Sequence, residues 1–106
     1  MHRKGKSDSD WPFSDPKNVA TITLRQILED GRPILYVSHD AEDGCWQFMD
    51  GGDAPDVKDG REVSLQCMVE WDPSVRELAD LPLGWCAWRE HAGAPWQRAP
   101  REGEAD

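Results

Sequence analysis

The run of residues 34–49 limits most strongly what this chain can fold into, because two strand-forming stretches flank a tight-turn sequence. Residues 34–38 and 45–49 are rich in β-branched, aromatic and other apolar side chains, and Asp43-Gly44 between them accommodates a positive φ. Side chains alternate across a strand, so Trp46 and Phe48 share one face. We predict an antiparallel hairpin with these two rings on the core face, where they bury the most area.

Other stretches predict strands because β-branched or aromatic residues recur in short runs. These stretches are 19–23, 62–65 and 84–89. Residues 50–61 combine glycines, a proline and several carboxylates, and therefore predict a surface loop.

Short helices are predicted where capping residues precede apolar side chains at helical spacing. The predicted helices cover 24–29, 66–71 and a stretch that begins at Pro73. Thr23, Ser64 and Asp72 are the expected N-caps. Gly31 is expected just after the end of the first helix, where a left-handed residue is favoured.

The order of these elements predicts an α+β fold, with a small, mostly antiparallel sheet and two or three short helices packed on one face. A chain of 106 residues is the usual size of one domain. Both ends are polar. We therefore expect a disordered N-terminal tail over 1–10, a single α+β domain over 11–98 and a disordered C-terminal tail over 99–106.

The charge balance narrows the class of partner. The net charge is −9, from 21 acidic and 12 basic residues. Such a chain repels nucleic acid and anionic membrane surfaces, and it attracts a basic protein partner. Residues 7–15 supply no apolar run for a signal peptide, and three cysteines do not form a disulfide framework. We therefore predict a cytoplasmic protein with free thiols.

Residues able to carry chemistry do not fall into a catalytic or metal-binding pattern. The candidate zinc ligands are His39, Cys45, Cys67, Cys86 and His91. Their spacing lacks a Cys-x-x-Cys or His-x-x-x-His pair. Cys86 with either histidine is a conceivable nucleophile, but nothing in the sequence lowers its pKa. The acidic run fits no EF-hand register. We therefore predict no cofactor and no enzymatic activity.

Partner binding is the function that the composition favours. Carboxylates of the 40–59 region would steer a basic partner, and an exposed tryptophan would anchor it. The candidate partner-binding residues are Asp40, Glu42, Asp43, Trp46, Asp50, Asp53, Asp56 and Trp96. The alternative is a domain that binds a small ligand in a tryptophan-lined pocket, since the chain has six tryptophans. The sequence leaves monomer and dimer open.

Several stretches resemble a bacterial family of short uncharacterised proteins similar to the immunity-protein-like domains of polymorphic toxin systems. They are 18–31, 34–40, 43–48 and 78–89, together with Asp72-Pro73-Ser74 and Leu78. The resemblance covers about residues 11–98. It implies a toxin-neutralising, protein-binding role and no catalytic residues.

Overall fold

The computed structural model describes residues 11–52 and 56–101. Its strands are β1 (Ala20–Leu24), β2 (Tyr36–His39), β3 (Trp46–Met49), β4 (Gly60–Ser64), β5 (Trp85–Trp88) and β6 (Gln97–Pro100). Its helices are α1 (Arg25–Asp30) and α2 (Leu65–Trp71), with 3₁₀ helices at Val57–Asp59 and Pro73–Leu78. The tail predicted over 1–10 lies outside the described residues, as do Asp53 and residues 102–106.

The six strands form one sheet in the order β4-β1-β3-β2-β5-β6. The neighbours β1 and β3 run parallel, and the other four pairs run antiparallel. This confirms the predicted α+β fold with a mostly antiparallel sheet. The predicted hairpin is also confirmed, since β2 and β3 pair with His39 opposite Trp46 and Val37 opposite Phe48.

The core lies on one side of this sheet. Trp46 is 2% exposed and Phe48 is 0% exposed, so the predicted core face of the hairpin is confirmed. Buried side chains of both α-helices and of the longer 3₁₀ helix belong to the same cluster as these rings, and Ile27, Met68 and Val75 are examples. The helices therefore pack on the Trp46 face, where each large apolar side chain contributes roughly 1.5–3 kcal/mol by leaving water.

The capping predictions are confirmed at three positions and wrong at one. The Ser64 hydroxyl accepts from the Cys67 amide, and the Asp72 carboxylate accepts from the Ser74 amide. Gly31 takes a left-handed φ of 73° at the end of α1. Thr23 is not a cap, because it lies inside β1 and its hydroxyl donates to the Phe48 carbonyl at 2.8 Å. The local sequence predicts that the Thr23 hydroxyl caps the helix, but the pairing of β1 with β3 gives this hydroxyl a different partner, the Phe48 carbonyl.

A buried arginine fixes the longer 3₁₀ helix to the end of β5. The Arg89 side chain is 2% exposed and contacts the Asp72 carboxylate at 2.7 Å. It also donates to the Ser74 hydroxyl at 2.9 Å and to the Ile34 carbonyl at 3.0 Å. Each polar edge of the guanidinium thus has a partner, as a buried charge requires.

The last strand extends beyond the predicted end of the domain. β6 runs from Gln97 to Pro100, and the Arg101 amide donates to the Gly84 carbonyl at 2.8 Å. Residues 99 and 100 therefore belong to the sheet, and the Arg101 backbone is bonded just beyond it, which corrects the boundary at 98 and the placement of residues 99–101 in a disordered tail. The cause is pairing with β5, which supplies partners for a short stretch that has little strand propensity alone.

Candidate protein-binding surface

The sheet has a second face, opposite the core. Residues directly paired across neighbouring strands point to the same side, so the register assigns this face row by row. One row is Met49, Tyr36, Trp88 and Gln97, and the next is Gln47, Ser38, Cys86 and Ala99. We call these eight residues the open face. Trp88 is 40% exposed, and Tyr36, Gln47 and Met49 are partly exposed. Ser38 and Cys86, in the second row, are buried at 2% and 9% exposed.

A groove of about 410 Å³ lies over the β2, β5 and β6 part of the open face. Its lining residues are Tyr36, Cys86, Trp88, Ala99, Pro100 and Arg101. The register explains why the groove forms here. The row of Ser38, Cys86 and Ala99 has small side chains, whereas the neighbouring row supplies the rings of Tyr36 and Trp88. The small residues form a floor and the rings form a wall.

The turn between β2 and β3 borders this groove on the side of Arg101. Backbone bonds continue the ladder by one residue, from Gly84 N to His39 O at 2.7 Å and from Arg101 N to Gly84 O at 2.8 Å. A third row therefore places Asp40 and Arg101 on either side of Gly84. Gly84, which has φ +81°, directly precedes β5. A Cβ at this position would lie 3.4 Å from the Ala41 Cβ, so the turn is in close contact with the start of β5.

We call residues 40–44 the acidic turn, since Asp40, Glu42 and Asp43 lie in it. Asp40 accepts from the Glu42 amide and Asp43 accepts from the Cys45 amide, both at 2.9 Å. These bonds hold two carboxylates in a fixed position at the end of the open face. The Asp43-Gly44 signal for positive φ is confirmed, since Gly44 has φ +73°.

The electrostatic environment of this surface is negative at the turn. Burial raises the pKa of the Cys45 thiol, and Asp43, Asp40 and Glu62 raise it further. Burial also raises the pKa of the Tyr36 hydroxyl, its contact with Cys86 acts in the same direction, and Arg101 opposes both. The open face therefore has an acidic end at the β2–β3 turn and an aromatic groove whose lining includes one arginine, Arg101.

The predicted acidic rim does not form one patch. Asp40, Glu42 and Asp43 lie at one end of β3, whereas Asp50 follows its other end. The Asp50 side chain is 10% exposed, accepts from the Gly52 amide and lies 3.7 Å from Arg32. Asp56 caps the first 3₁₀ helix and lies 3.8 Å from Lys58. Asp53 lies outside the described residues. Among the described carboxylates of this rim, those of the acidic turn are the ones next to the groove.

Neither of the two predicted tryptophan anchors is a free surface ring. Trp46 is buried by the stacked ring of His39 at 3.9 Å and the edge of Phe13 at 5.4 Å, and its indole N–H donates to Asp15 at 3.1 Å. Trp46 is therefore corrected from an anchor to a core residue. Trp96 is partly buried over the Arg89 guanidinium at 4.2 Å, so it covers a buried charge.

The residues considered for metal or thiol chemistry are not brought together. His39 pairs with Trp85 across the strands, so its ring lies on the core side and Cys86 lies on the open face. His91 is exposed and contacts the neighbouring Ala92 carbonyl. Within 11–52 and 56–101, no three His, Cys, Asp or Glu side chains are grouped as a metal site would require.

The exposed aromatic residues of the open face are what the sequence reasoning missed. Alternation within each strand puts Tyr36 and Val37 on different faces of the sheet, and likewise Trp88 and Ala87. The pairing of β2 with β5, which brings Tyr36 beside Trp88, is non-local and has no marker in either segment. The one available signal was that β2 and β5 each carry a large ring, Tyr36 and Trp88, next in sequence to a buried residue.

Comparison of the chain with protein-family models, curated proteins and solved structures finds no match. The resemblance to immunity-protein-like domains therefore stays a prediction. The longest helix in the part of the chain described here has seven residues, and none could cross a membrane.

Proposed function

We propose that this chain is a non-enzymatic protein-binding domain, and that it binds a basic partner on the open face. The observation that carries the proposal is the position of an exposed aromatic groove beside the acidic turn, on the side of the sheet opposite the helices. Tyr, Trp and Arg are among the side chains enriched at protein interfaces, and Tyr36, Trp88 and Arg101 lie on or beside this face.

The charge of the chain supports a basic partner. At −9, the protein attracts cations from a distance, and the acidic turn concentrates three of its carboxylates next to the groove. Steering of this kind raises the association rate and weakens as salt screens the field. The carboxylates of the turn direct the partner, and the aromatic rings then supply the apolar contact.

Strand addition at the β6 edge is a poorer explanation for partner binding. Pro100 has no amide hydrogen to offer an added strand. The Arg98 side chain turns away to the Asp80 carboxylate at 2.9 Å and to the Glu77 carbonyl at 3.0 Å. The edge is thus blunted in the manner that natural sheets use to prevent pairing. The face of the sheet, and not this edge, is the surface that fits a partner.

A small-ligand pocket lined by several tryptophans is the rival function. Such pockets enclose most of the ligand. The groove here is lined by one tryptophan, Trp88, which is itself 40% exposed, whereas Cys86 on its floor is 9% exposed. This shape suits a side chain presented by another protein better than a free metabolite.

The test is selection from a display library of random peptides on the immobilised full chain at low salt. We expect the recovered peptides to carry net positive charge. The triple variant Asp40→Asn, Glu42→Gln, Asp43→Asn should bind them with an association rate about tenfold lower at low salt, with a smaller difference at high salt. Each asparagine keeps the side-chain oxygen that accepts a turn amide, so the turn should keep its shape.

The matched control removes the same number of charges elsewhere. Glu29→Gln, Glu70→Gln, Glu77→Gln alters exposed carboxylates of the helical side. This control should bind the selected peptides at close to the wild-type rate. Recovery of neutral or acidic peptides, or an equal loss of rate in both triple variants, would contradict binding of a basic partner at the acidic turn.

A further inference from the structure

Three aspartates of the chain are each followed directly by glycine, at residues 43–44, 50–51 and 59–60. In such a pair the glycine amide nitrogen can attack the side-chain carboxyl carbon of the aspartate, because glycine has no side chain to hinder the approach. The reacting atoms belong to neighbouring residues, so ring closure has the advantage of an intramolecular reaction. Since all three pairs consist of the same two residues, the local structure decides which of them reacts first.

Two of these aspartates form the same kind of turn. The Asp43 carboxylate accepts from the Cys45 amide at 2.9 Å. The Asp50 carboxylate accepts from the Gly52 amide at 3.1 Å. Both bonds fold the carboxyl forward over the intervening glycine, and the two intervening glycines have similar φ angles of 73° and 78°. A difference in reactivity between these two pairs must then come from what the glycine amides contact.

The glycine amides differ in their hydrogen bonds. The Gly44 amide donates to the Asp40 carbonyl at 3.0 Å. The Gly60 amide donates to the Val57 carbonyl. For the Gly51 amide, no acceptor lies within hydrogen-bond distance among residues 11–52 and 56–101. A nitrogen that must give up a hydrogen bond before it attacks reacts more slowly, so the Gly51 nitrogen has the advantage.

The chain after Asp50 is also freer to adjust than the chain after Asp43. The next two residues after Asp50 are exposed glycines, whose backbone rotates easily. After Asp43, by contrast, the hairpin resumes at Cys45, whose carbonyl accepts from the Asp40 amide at 2.9 Å. The Arg32 guanidinium lies 3.7 Å from the Asp50 carboxylate, but its side chain is 56% exposed, so this pair restrains the carboxyl only weakly.

We infer that Asp50 is a site of spontaneous isomerisation, at which the ordinary peptide bond to Gly51 is replaced by an isoaspartyl bond. The Gly51 nitrogen bonds to the Asp50 Cγ, and its proton leaves with the hydroxyl of the protonated carboxyl as water, which gives a cyclic imide. Water then adds to the α-carbonyl carbon, and the bond from this carbon to nitrogen breaks. The nitrogen stays on Cγ and the α-carboxyl is released, so the charge is retained and the backbone is lengthened by one atom.

The test is incubation of the folded full chain in water enriched in oxygen-18, near neutral pH. Each passage through the imide incorporates the label, and electron-transfer fragmentation of the digested protein distinguishes isoaspartyl from aspartyl bonds. We expect isoaspartate to form at Asp50 about fivefold faster than at Asp43 or Asp59, equivalent to about 1 kcal/mol, the typical net contribution of one hydrogen bond. Exposure alone predicts the reverse order, because the Asp50 side chain is 10% exposed whereas Asp43 is exposed.

The matched control is the same chain unfolded in guanidinium chloride, which removes the amide contacts and keeps the sequence. The three sites should then react at similar rates. Asp50→Glu should remove the modification at this position, since glutamate would have to close a larger ring, and should leave the rates at Asp43 and Asp59 unchanged.

Two results would overturn the inference. One is a rate at Asp43 or Asp59 that equals or exceeds the rate at Asp50 in the folded chain. The other is the same ranking of the three sites in folded and unfolded protein, because the neighbouring sequence and not the amide contacts would then be the cause. The modification needs no partner, so either result leaves the proposed function unaffected.

Discussion

The two faces of the sheet use the same strands for different purposes. On the core face, Val37 and Phe48 are 0% exposed and contact the side chains of the helices. One residue away on the same strands, Tyr36 and Gln47 belong to the open face and remain partly exposed. At the end of β5 the contrast is sharpest, since exposed Trp88 precedes buried Arg89.

Under the proposed function, this alternation places the residues that stabilise the fold next to those that contact the partner. A core-face side chain stabilises the native state by leaving water, whereas the open-face rings of Tyr36 and Trp88 keep part of their surface in contact with water. Substitutions on the core face should therefore lower the free energy of unfolding more than substitutions on the open face do. Matched pairs of residues, one from each face, test how large this difference is.

The largest effect is expected from Phe48→Ala. The ring is 0% exposed, and its removal leaves a cavity among the helices, so the free energy of unfolding should fall by about 3–5 kcal/mol. Trp88→Ala deletes an even larger side chain, but one that is 40% exposed, and we expect a smaller loss of about 1–2 kcal/mol. Urea unfolding of both variants measures this. Equal losses would show that the open face is part of the core and would break the comparison.

A second, smaller effect is expected where the core side holds a charge. Asp72→Asn keeps the oxygen that caps the 3₁₀ helix and removes the negative charge that contacts Arg89 at 2.7 Å. Breaking a buried pair costs about 3–5 kcal/mol. Since the Asp72 side chain is 18% exposed, we expect about 3 kcal/mol or somewhat less.

The control for this ion pair is Asp80→Asn. Asp80 contacts Arg98 at 2.9 Å, but its side chain is 82% exposed, and water screens the pair. Urea unfolding should resolve the change at Asp72 and not the change at Asp80. If both variants unfold like the wild type, the Arg89 contacts to Ser74 and Ile34 would be sufficient to compensate its charge.

Local chemistry predicted a good part of this fold. The Asp43-Gly44 turn, the alternation around Trp46 and the caps at Ser64 and Asp72 each depend on residues close in sequence. The physical causes act within a few residues, so they can be recognised without knowing what packs against them. The core face of the hairpin followed from the area of two rings, and burial of both confirms it.

The candidate site was harder to predict, because it depends on pairing between distant strands. Insertion of β3 between β1 and β2 places Thr23 beside Phe48 and takes it from the helix cap. Pairing of β2 with β5 brings Tyr36 beside Trp88, and pairing of β6 with β5 adds the floor at Ala99. Strand propensity does not specify such partners, since it mainly reports how a side chain packs in a given sheet.

The smallest predicted effect concerns the thiol at the acidic end of the open face. Burial, and then Asp43, Asp40 and Glu62, raise the pKa of Cys45. The thiolate is the reactive form, so a raised pKa lowers its fraction near neutral pH. The rate of iodoacetamide labelling at Cys45 should therefore keep rising as pH increases past the ordinary thiol pKa of about 8.5.

Neutralising the nearby carboxylates tests how much of this shift is electrostatic. Asp40→Asn with Asp43→Asn should lower the pKa of Cys45 and speed its labelling about two- to threefold near neutral pH, and leave the burial contribution in place. Peptide mapping by mass spectrometry separates Cys45 from Cys67, which lies in α2 and is the internal control. An unchanged rate at Cys45 would mean that burial alone suppresses the thiol. The carboxylates of the turn would then project a weaker field over the open face than steering of a basic partner requires.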